Sequence, residues 1–392
     1  LISEDQQSIS SRFKEVALLF LKLGLTAWGG PAVSVSMMYA EVVQKRKWIS
    51  DQTFLDIMGA TNLIPGPNAT EIATHMGLIR SGWKGFLAAG ILFLLPGSLM
   101  ALVLAWAYVN FGNLPQVSAV LYGIKPVVIA IIIQALVTLG RKAYSNWLLL
   151  IIGIAVLGLY LFGINEIILL FTGAAVVLIA RGGRNIFRKE AFSFLFIPSL
   201  INLSMLRINS ILSTIVSFGN TTLFLTSLKI GALMFGSGYV LIAFAQSEFV
   251  THLGWISNTQ LIDAIAVGQA LPGPLSKSIT FIGYLMGGVP SAIIATVGFF
   301  LPSFILVALL SKIVPLIRRN WWAAAFTDGI NVASLGLMAG ATVSIARTAV
   351  VDIFSGLLAL ASFLLIFKWK ISMYWIILGG AVLGIAYKFI AG

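Results

Sequence analysis

Apolar runs of helix length, separated by short polar punctuation, dominate the chain. Uninterrupted stretches lie near 85–110, 118–140, 146–162 and 165–181, and again near 289–311, 321–346, 350–367 and 371–390. About 20 apolar residues cross a bilayer as a helix, whereas a membrane barrel shows alternating strands of about ten. The pattern therefore predicts transmembrane helices and excludes a barrel. Two further apolar stretches precede each set, and these are broken. The stretch 13–39 is interrupted at Trp28-Gly29-Gly30-Pro31 and 50–79 at Pro65-Gly66-Pro67. Their later partners break at Phe235-Gly236-Ser237-Gly238 and at Pro272-Gly273-Pro274. Proline removes a backbone donor and glycine tolerates positive φ, so each break should end one helix and start another. In lipid, such unpaired backbone is tolerated only where protein buries it or a wet cavity receives it.

Composition sharpens this picture. Of 392 residues, 59% are hydrophobic and 10% charged, against about 25% charged in a soluble domain. A soluble enzyme, a secreted domain and a coiled coil are excluded, and the expected surroundings are a lipid bilayer. The net charge is 25 − 13 = +12, but the basic residues cluster at the ends of apolar runs, as in Lys45-Arg46-Lys47, Arg141-Lys142 and 181–189. That placement is a topology signal, and nucleic acid is not an expected partner. There is no cysteine, and the two histidines are His75 and His252. Disulfides, thiolate sites and a His-rich metal site are excluded, and no metal or cofactor is expected. Residues 1–14 are polar and the apolar stretch after them exceeds a signal-peptide core, so no signal peptide is expected. The first residue is Leu1 rather than Met, which implies a preceding native segment.

The chain repeats itself. At an offset of 207, Leu21-Lys22-Leu23-Gly24 meets Leu228-Lys229-Ile230-Gly231 and Gly29 meets Gly236. At the same offset Glu41 meets Glu248, Trp48-Ile49-Ser50 meets Trp255-Ile256-Ser257, Asp56 meets Asp263, and the two Pro-Gly-Pro triplets coincide. One residue is then lost, and at offset 206 Gly77 matches Gly283, Pro96 matches Pro302 and Arg141 matches Arg347. About 14 identities in about 47 gapless positions make this a duplication. The expected organisation is a first repeat over 1–190, a bridging membrane segment over 191–219 and a second repeat over 220–392.

Charge differs between the copies. Loops 45–47, 80–84, 141–142 and 181–189 are basic in the first, while the second copy's equivalents at 252–254 and 286–290 are nearly uncharged. The first copy's loop 112–117 is neutral, whereas the second copy's strongest basic group, Lys312 with Arg318 and Arg319, lies just past the equivalent of the neutral 106–113. Positive residues favour the cytoplasmic side, so the copies are expected upside down relative to each other, with 192–216 as the odd crossing and Arg347 a mild exception. The expected fold is an all-α polytopic membrane protein of two inverted-topology repeats with broken helices, an arrangement of secondary transporters. Such a chain contains a complete site as a monomer, and a homodimer is equally compatible.

Helices that begin after Pro67 and Pro274 aim free N–H groups and a positive dipole end at the breaks, which suits an anion. Ionisable residues inside apolar runs are functional candidates because burying them is expensive. Candidate substrate contacts are Lys22, Gly29, Gly30, Pro65, Gly66, Pro67, Asn68, Lys229, Gly236, Pro272, Gly273, Pro274 and Lys277. Lys22 and Lys229 either attract the anion or snorkel to the interface; Lys277 starts in the first turn of a half-helix. Glu71 and His75 share a helix face at a spacing of four and either relay protons or satisfy structural roles, Glu71 with a lysine and His75 with a carbonyl. Asp56 and Asp263 are matched acids that couple to protons or serve structure. Lys125 reads as structural or gating, and Glu41 and Glu248 as interface anchors.

These residues resemble a known family. Lys-Leu-Gly with an aromatic and Gly29-Gly30-Pro31, then Glu41, Trp48-Ile49-Ser50, Asp56, Pro65-Gly66-Pro67, Gly82-Trp83-Lys84-Gly85 and Leu95-Pro96 supply one half of the pattern. Phe235-Gly236, Trp255, Gly268-Gln269, Pro272-Gly273-Pro274 and Phe281-Ile282-Gly283-Tyr284 supply the other. Together they resemble the long-chain, two-domain form of the chromate transporter family. The resemblance implies an inner-membrane carrier of chromate, with sulfate as a second oxyanion, that expels its cargo using the membrane potential or a proton gradient. Two departures stand out: Lys277 occupies a position of small hydroxyl residues in the family pattern, and Gly30-Pro31 becomes Ser237-Gly238. A carrier for another small anion and an intramembrane enzyme acting on lipid phosphate are the rival readings. The enzyme needs a carboxylate cluster or a nucleophile with a base, and in sequence the acids are scattered.

Overall fold

The computed structural model describes residues 4–28, 30–61, 64–112, 114–144, 146–182, 218–235, 238–310 and 321–391. The expected bridging crossing at 192–216, Gly29, Gly236 and the basic group Lys312, Arg318 and Arg319 lie outside the described residues. What is described consists of helices and their connections, as the apolar runs predict. In order these are α1 (Glu4–Thr26), α2 (Gly30–Tyr39), α3 (Asp51–Thr61), α4 (Asn68–Phe111), α5 (Pro115–Ala143), α6 (Trp147–Leu161) and α7 (Glu166–Gly182). They continue with α8 (Asn220–Leu233), α9 (Leu241–Ala245), α10 (Asn258–Ala270), α11 (Ser278–Leu310), α12 (Trp321–Ala349), α13 (Ile353–Trp369) and α14 (Met373–Ala391). Five spans among the described residues are long and apolar enough to cross a membrane: α4, α5, 275–309, α12 and α14. The protein is an all-α polytopic membrane protein.

The breaks fall where Gly and Pro put them. α1 ends at Thr26 and α2 starts at Gly30; α3 ends at Thr61 and α4 starts at Asn68, directly after Pro67. At about 1.5 Å per residue, α3 covers only about half of a hydrocarbon core about 30 Å thick. Residues 68–79, the second part of the broken stretch 50–79, join 85–110 in the single helix α4, which is sharply bent at Ser81 and Gly82. Gly82 has φ +60°, and α11 bends in the same way at Gly288, φ +68°. Beside each bend the two arms pack backbone to backbone. A methyl on Gly77 would strike the Gly85 carbonyl, and one on Gly283 would lie 2.7 Å from the Ser291 carbonyl.

Equivalent helices make equivalent contacts. α1 packs on α4 and α8 on α11. Gly24 lets α1 reach the Phe93 carbonyl, and Gly231 lets α8 reach that of Phe299. The halves also interlock: α5 packs on α13 and α14, α12 on α6 and α7, and α4 on α11. Both first broken segments end in a π-helical turn, at Ala40–Lys45 and at Gln246–His252. Each turn is closed by an i→i+5 bond, Arg46 N–H to Glu41 O at 3.0 Å and Leu253 N–H to Glu248 O at 2.9 Å. Such wide turns often accompany functional sites.

Candidate functional site

The two Pro-Gly-Pro triplets lie against each other's half of the molecule. Gly66 holds φ +151° and donates its N–H to the carbonyl of Met234, at the break after α8, at 2.7 Å. Gly273 holds φ +95° and donates to the carbonyl of Ala27, at the break after α1, at 2.8 Å. Each triplet thus satisfies a carbonyl that the opposite broken helix leaves without an intrahelical donor. Pro65 and Pro272 open the triplets, Pro67 caps the N-terminus of α4, which starts at Asn68, and Pro274 caps the 3₁₀ turn Leu275–Lys277.

Lys277 lies in a short 3₁₀ turn (Leu275–Lys277) between Pro274 and α11, and is 1% exposed. Its ammonium donates to the carbonyls of Gly273 at 3.1 Å and Pro274 at 3.0 Å, and among the described residues it meets no carboxylate within ion-pair distance. An ammonium carries three donors, so one remains beyond these two bonds. Its stem lies 2.9 Å from where a Gly97 side chain would begin, and Gly97 also approaches the Pro272 carbonyl. Its chain neighbours Ser276 and Ser278, and Ser98 beside Gly97, have buried hydroxyls without a protein hydrogen-bond partner. Buried polar groups are normally paired.

Glu71 faces the other break. It is fully buried, and its Oε1 accepts from Ser303 at 3.1 Å while Oε2 has no partner. A methyl on Gly66 would collide with this carboxylate and would lie 2.6 Å from Ser303 Oγ. The sequence suggested a bond to His75 or an ion pair with a lysine; neither is formed among the described residues. Ser303, which follows Pro302 in α11, takes the acceptor instead, and the His75 Nδ1 is buried without a partner.

The matched lysines sit in different settings. Lys22 is 58% exposed at its side chain and reaches Glu41 at 3.3 Å, as do Lys45 at 3.1 Å and Arg46 at 3.4 Å. Lys229 is buried and paired with Glu248. Glu41 and Glu248 are therefore buried ion-pair partners, each of the lysine 19 residues before it. The matched acids also diverge. Asp56 is exposed and accepts from Gln52 at 3.1 Å, whereas Asp263 is buried, 3.4 Å from Lys125 and bonded by Tyr108 at 2.9 Å. Sequence reading left Lys125 without a partner because its acid lies 138 positions away, on α10.

The sequence model of the family described as "Chromate transporter" matches residues 14–179 and 221–385. A chromate transport protein of Cupriavidus metallidurans is 31% identical over 95% of this chain and 92% of its own length. A probable chromate transport protein of Synechococcus elongatus is 30% identical over 91% and 90%, and one of Pseudomonas aeruginosa is 30% identical over 84% and 80%. No solved structure matches. The relatives are named as transport proteins, in agreement with a carrier rather than an enzyme.

Proposed function

From the premise that the chain belongs to the chromate transporter family, we propose that it is a secondary transporter of chromate across the cytoplasmic membrane, with sulfate as the competing oxyanion. Both are tetrahedral dianions, so a site built on backbone N–H groups and an ammonium would receive either. The observation that carries this reading is Lys277: a buried ammonium with no carboxylate partner among the described residues, set directly beside a Pro-Gly-Pro break. A cation in that setting favours an arriving anion strongly because the surroundings screen poorly.

The proposal includes two inverted repeats, 1–190 and 220–392, bridged by 191–219, which would place the facing triplets at the centre of the membrane. The paired donations of Gly66 and Gly273 and the exchanged packing of α5 and α12 support it. Efflux driven by the proton gradient or the membrane potential would then need a group that changes charge within the carrier. Glu71, with His75 one turn on and Ser303 across the break, is the favoured proton carrier, and Asp263, tied to Lys125 and Tyr108, is the second candidate.

The test is labelled chromate uptake into proteoliposomes with sulfate as competitor and an imposed pH gradient. Saturable uptake that sulfate blocks, and that responds to the gradient, is the expected result. No uptake by folded protein under either gradient removes chromate as the cargo. His75→Gln is expected to flatten the pH dependence while leaving substrate exchange, and an unchanged profile ends its role.

A further inference from the structure

A second constellation lies away from the triplets. Glu166, the first residue of α7, is 1% exposed; its Oε2 accepts from Ser247 at 2.7 Å and its Oε1 has no hydrogen-bond partner. It lines a cavity of about 330 Å³ together with Gln246, Ser247, Thr251 and His252. Glu248, on the π-helical turn, meets Lys229 on one side, and His252 Nδ1 lies 3.8 Å from its Oε1. One ligand atom each from Glu166, Glu248 and His252 falls within 4.8 Å of the others. Acids that look scattered along the sequence thus converge through folding, one from α7 and two groups from a single wide turn.

We propose that Glu166, Glu248 and His252 form a binding site for a divalent transition-metal cation such as Zn²⁺, Mn²⁺ or Co²⁺. Two carboxylates with one imidazole suit these ions better than Ca²⁺ or Mg²⁺, which take oxygen ligands almost throughout. Bond lengths of about 2.0–2.2 Å require the three donors to close on a common centre, which side-chain rotation achieves from the present spacing. Charge points the same way. In the matched place of the first half, Glu41 faces Lys22, Lys45 and Arg46, and Glu15 faces Arg46 and Arg80, so four cations meet two carboxylates. Here Glu248 pairs with Lys229 while Glu166 has no ion pair, and Arg347, which lines the same cavity, pairs with neither acid among the described residues. The half-exposed His252 gives access from outside. A bound ion would fasten α7 to the turn that follows α9, joining the two halves of the chain.

The test uses the full chain in detergent with Zn²⁺ and Co²⁺ as probes and no anion present. Titration calorimetry should give one saturable site per chain, and bound Co²⁺ should show a visible spectrum with nitrogen ligation. Glu166→Gln should weaken binding tenfold or more, and His252→Gln, at a half-exposed position that leaves the fold intact, should weaken it and change the Co²⁺ spectrum. Glu41→Gln should leave binding unchanged. Absence of saturable binding to the wild-type chain overturns the proposal, as does binding that neither Glu166→Gln nor His252→Gln alters.

Discussion

Gly66 donates its backbone N–H to Met234 at 2.7 Å, and Gly273 returns the bond in the opposite sense to Ala27 at 2.8 Å. Ala27 and Met234 stand 207 residues apart, as do Gly66 and Gly273, so the exchange follows the offset of the duplication. Each half completes the broken helix of the other, and neither Gly-Pro region is paired without its counterpart. Substituting Gly66 therefore tests the centre of the molecule directly. Both positions hold a φ unfavourable to alanine, but Gly66→Ala also drives a methyl into the Glu71 carboxylate and Ser303, whereas Gly273→Ala meets only a carbonyl at 4.0 Å. Backbone strain of this kind costs of order 1–3 kcal/mol. The expected order of melting temperatures is wild type, then Gly273→Ala, then Gly66→Ala, read by thermal unfolding in detergent.

The three lysines separate by environment. Lys277→Gln removes the buried ammonium at the second triplet and should weaken anion binding at least tenfold, about 1.4 kcal/mol. Lys22 is itself exposed and shares Glu41 with Lys45 and Arg46; an exposed ion pair contributes about 0–1 kcal/mol, and Lys22→Gln should leave affinity within about twofold. Lys229→Gln strips the partner from the buried Glu248 and should lower the melting temperature more than it lowers affinity. Equilibrium binding of chromate or sulfate to the purified variants gives the comparison. An unchanged affinity in Lys277→Gln removes that residue from the site.

Lys125 and Asp263 tie α5 to α10 beneath the Tyr108 hydroxyl. Breaking one side of a buried ion pair leaves an uncompensated charge and typically costs 3–5 kcal/mol, while replacing both sides with apolar groups is often neutral. Asp263→Asn should therefore destabilise by about 3 kcal/mol, and adding Lys125→Met should recover most of the loss. A double-mutant cycle on denaturant unfolding measures the coupling. A double variant no more stable than Asp263→Asn alone shows that the pair is not what Asp263 contributes.

Much of this arrangement can be read from residues in order. Trp28-Gly29-Gly30-Pro31 and Pro65-Gly66-Pro67 break their helices because Gly and Pro act locally, and the apolar runs from 118 onward place α5 to α7 and α12 to α14 within a few residues. Contacts that depend on folding were harder to find. Nothing near Glu71 in sequence announces Ser303, 232 positions away. The conserved spacing of Glu41 and Glu248 behind Lys22 and Lys229 carried a signal for their ion pairs, since a matched acid follows a matched lysine by 19 residues in both halves. Glu166 had no such signal, because its equivalent at offset 206 is Ser372.

Outside the spans, Asp352 caps α13 by accepting from the Ser355 N–H at 2.7 Å and takes the Tyr122 hydroxyl from α5 at 2.5 Å. The Tyr122 bond, then the Ser355 backbone bond, hold its carboxyl below the ordinary aspartate value. A lowered folded-state value means that the contribution is present above the unfolded-state value and is lost as pH falls through the folded one. Asp352→Asn should thus lower the melting temperature at neutral pH, and the gap to wild type should close as pH approaches about 3. Melting curves of both proteins across that range decide it; a gap independent of pH assigns the effect to the cap alone.

The inverted arrangement is open to direct labelling because the chain has no cysteine of its own. Arg46 and Leu253 are matched positions, each closing the π-helical turn of its half through its backbone N–H. Arg46→Cys leaves Glu41 with Lys22 and Lys45, so the turn should hold, and Leu253→Cys touches no ion pair. If the halves are upside down relative to each other, a membrane-impermeant thiol reagent added outside intact cells should label one variant and spare the other. Permeabilised cells should label both, which shows that the spared cysteine is reactive. Labelling of both from the same side would mean parallel halves, and the facing triplets would then need a different explanation from an inverted repeat.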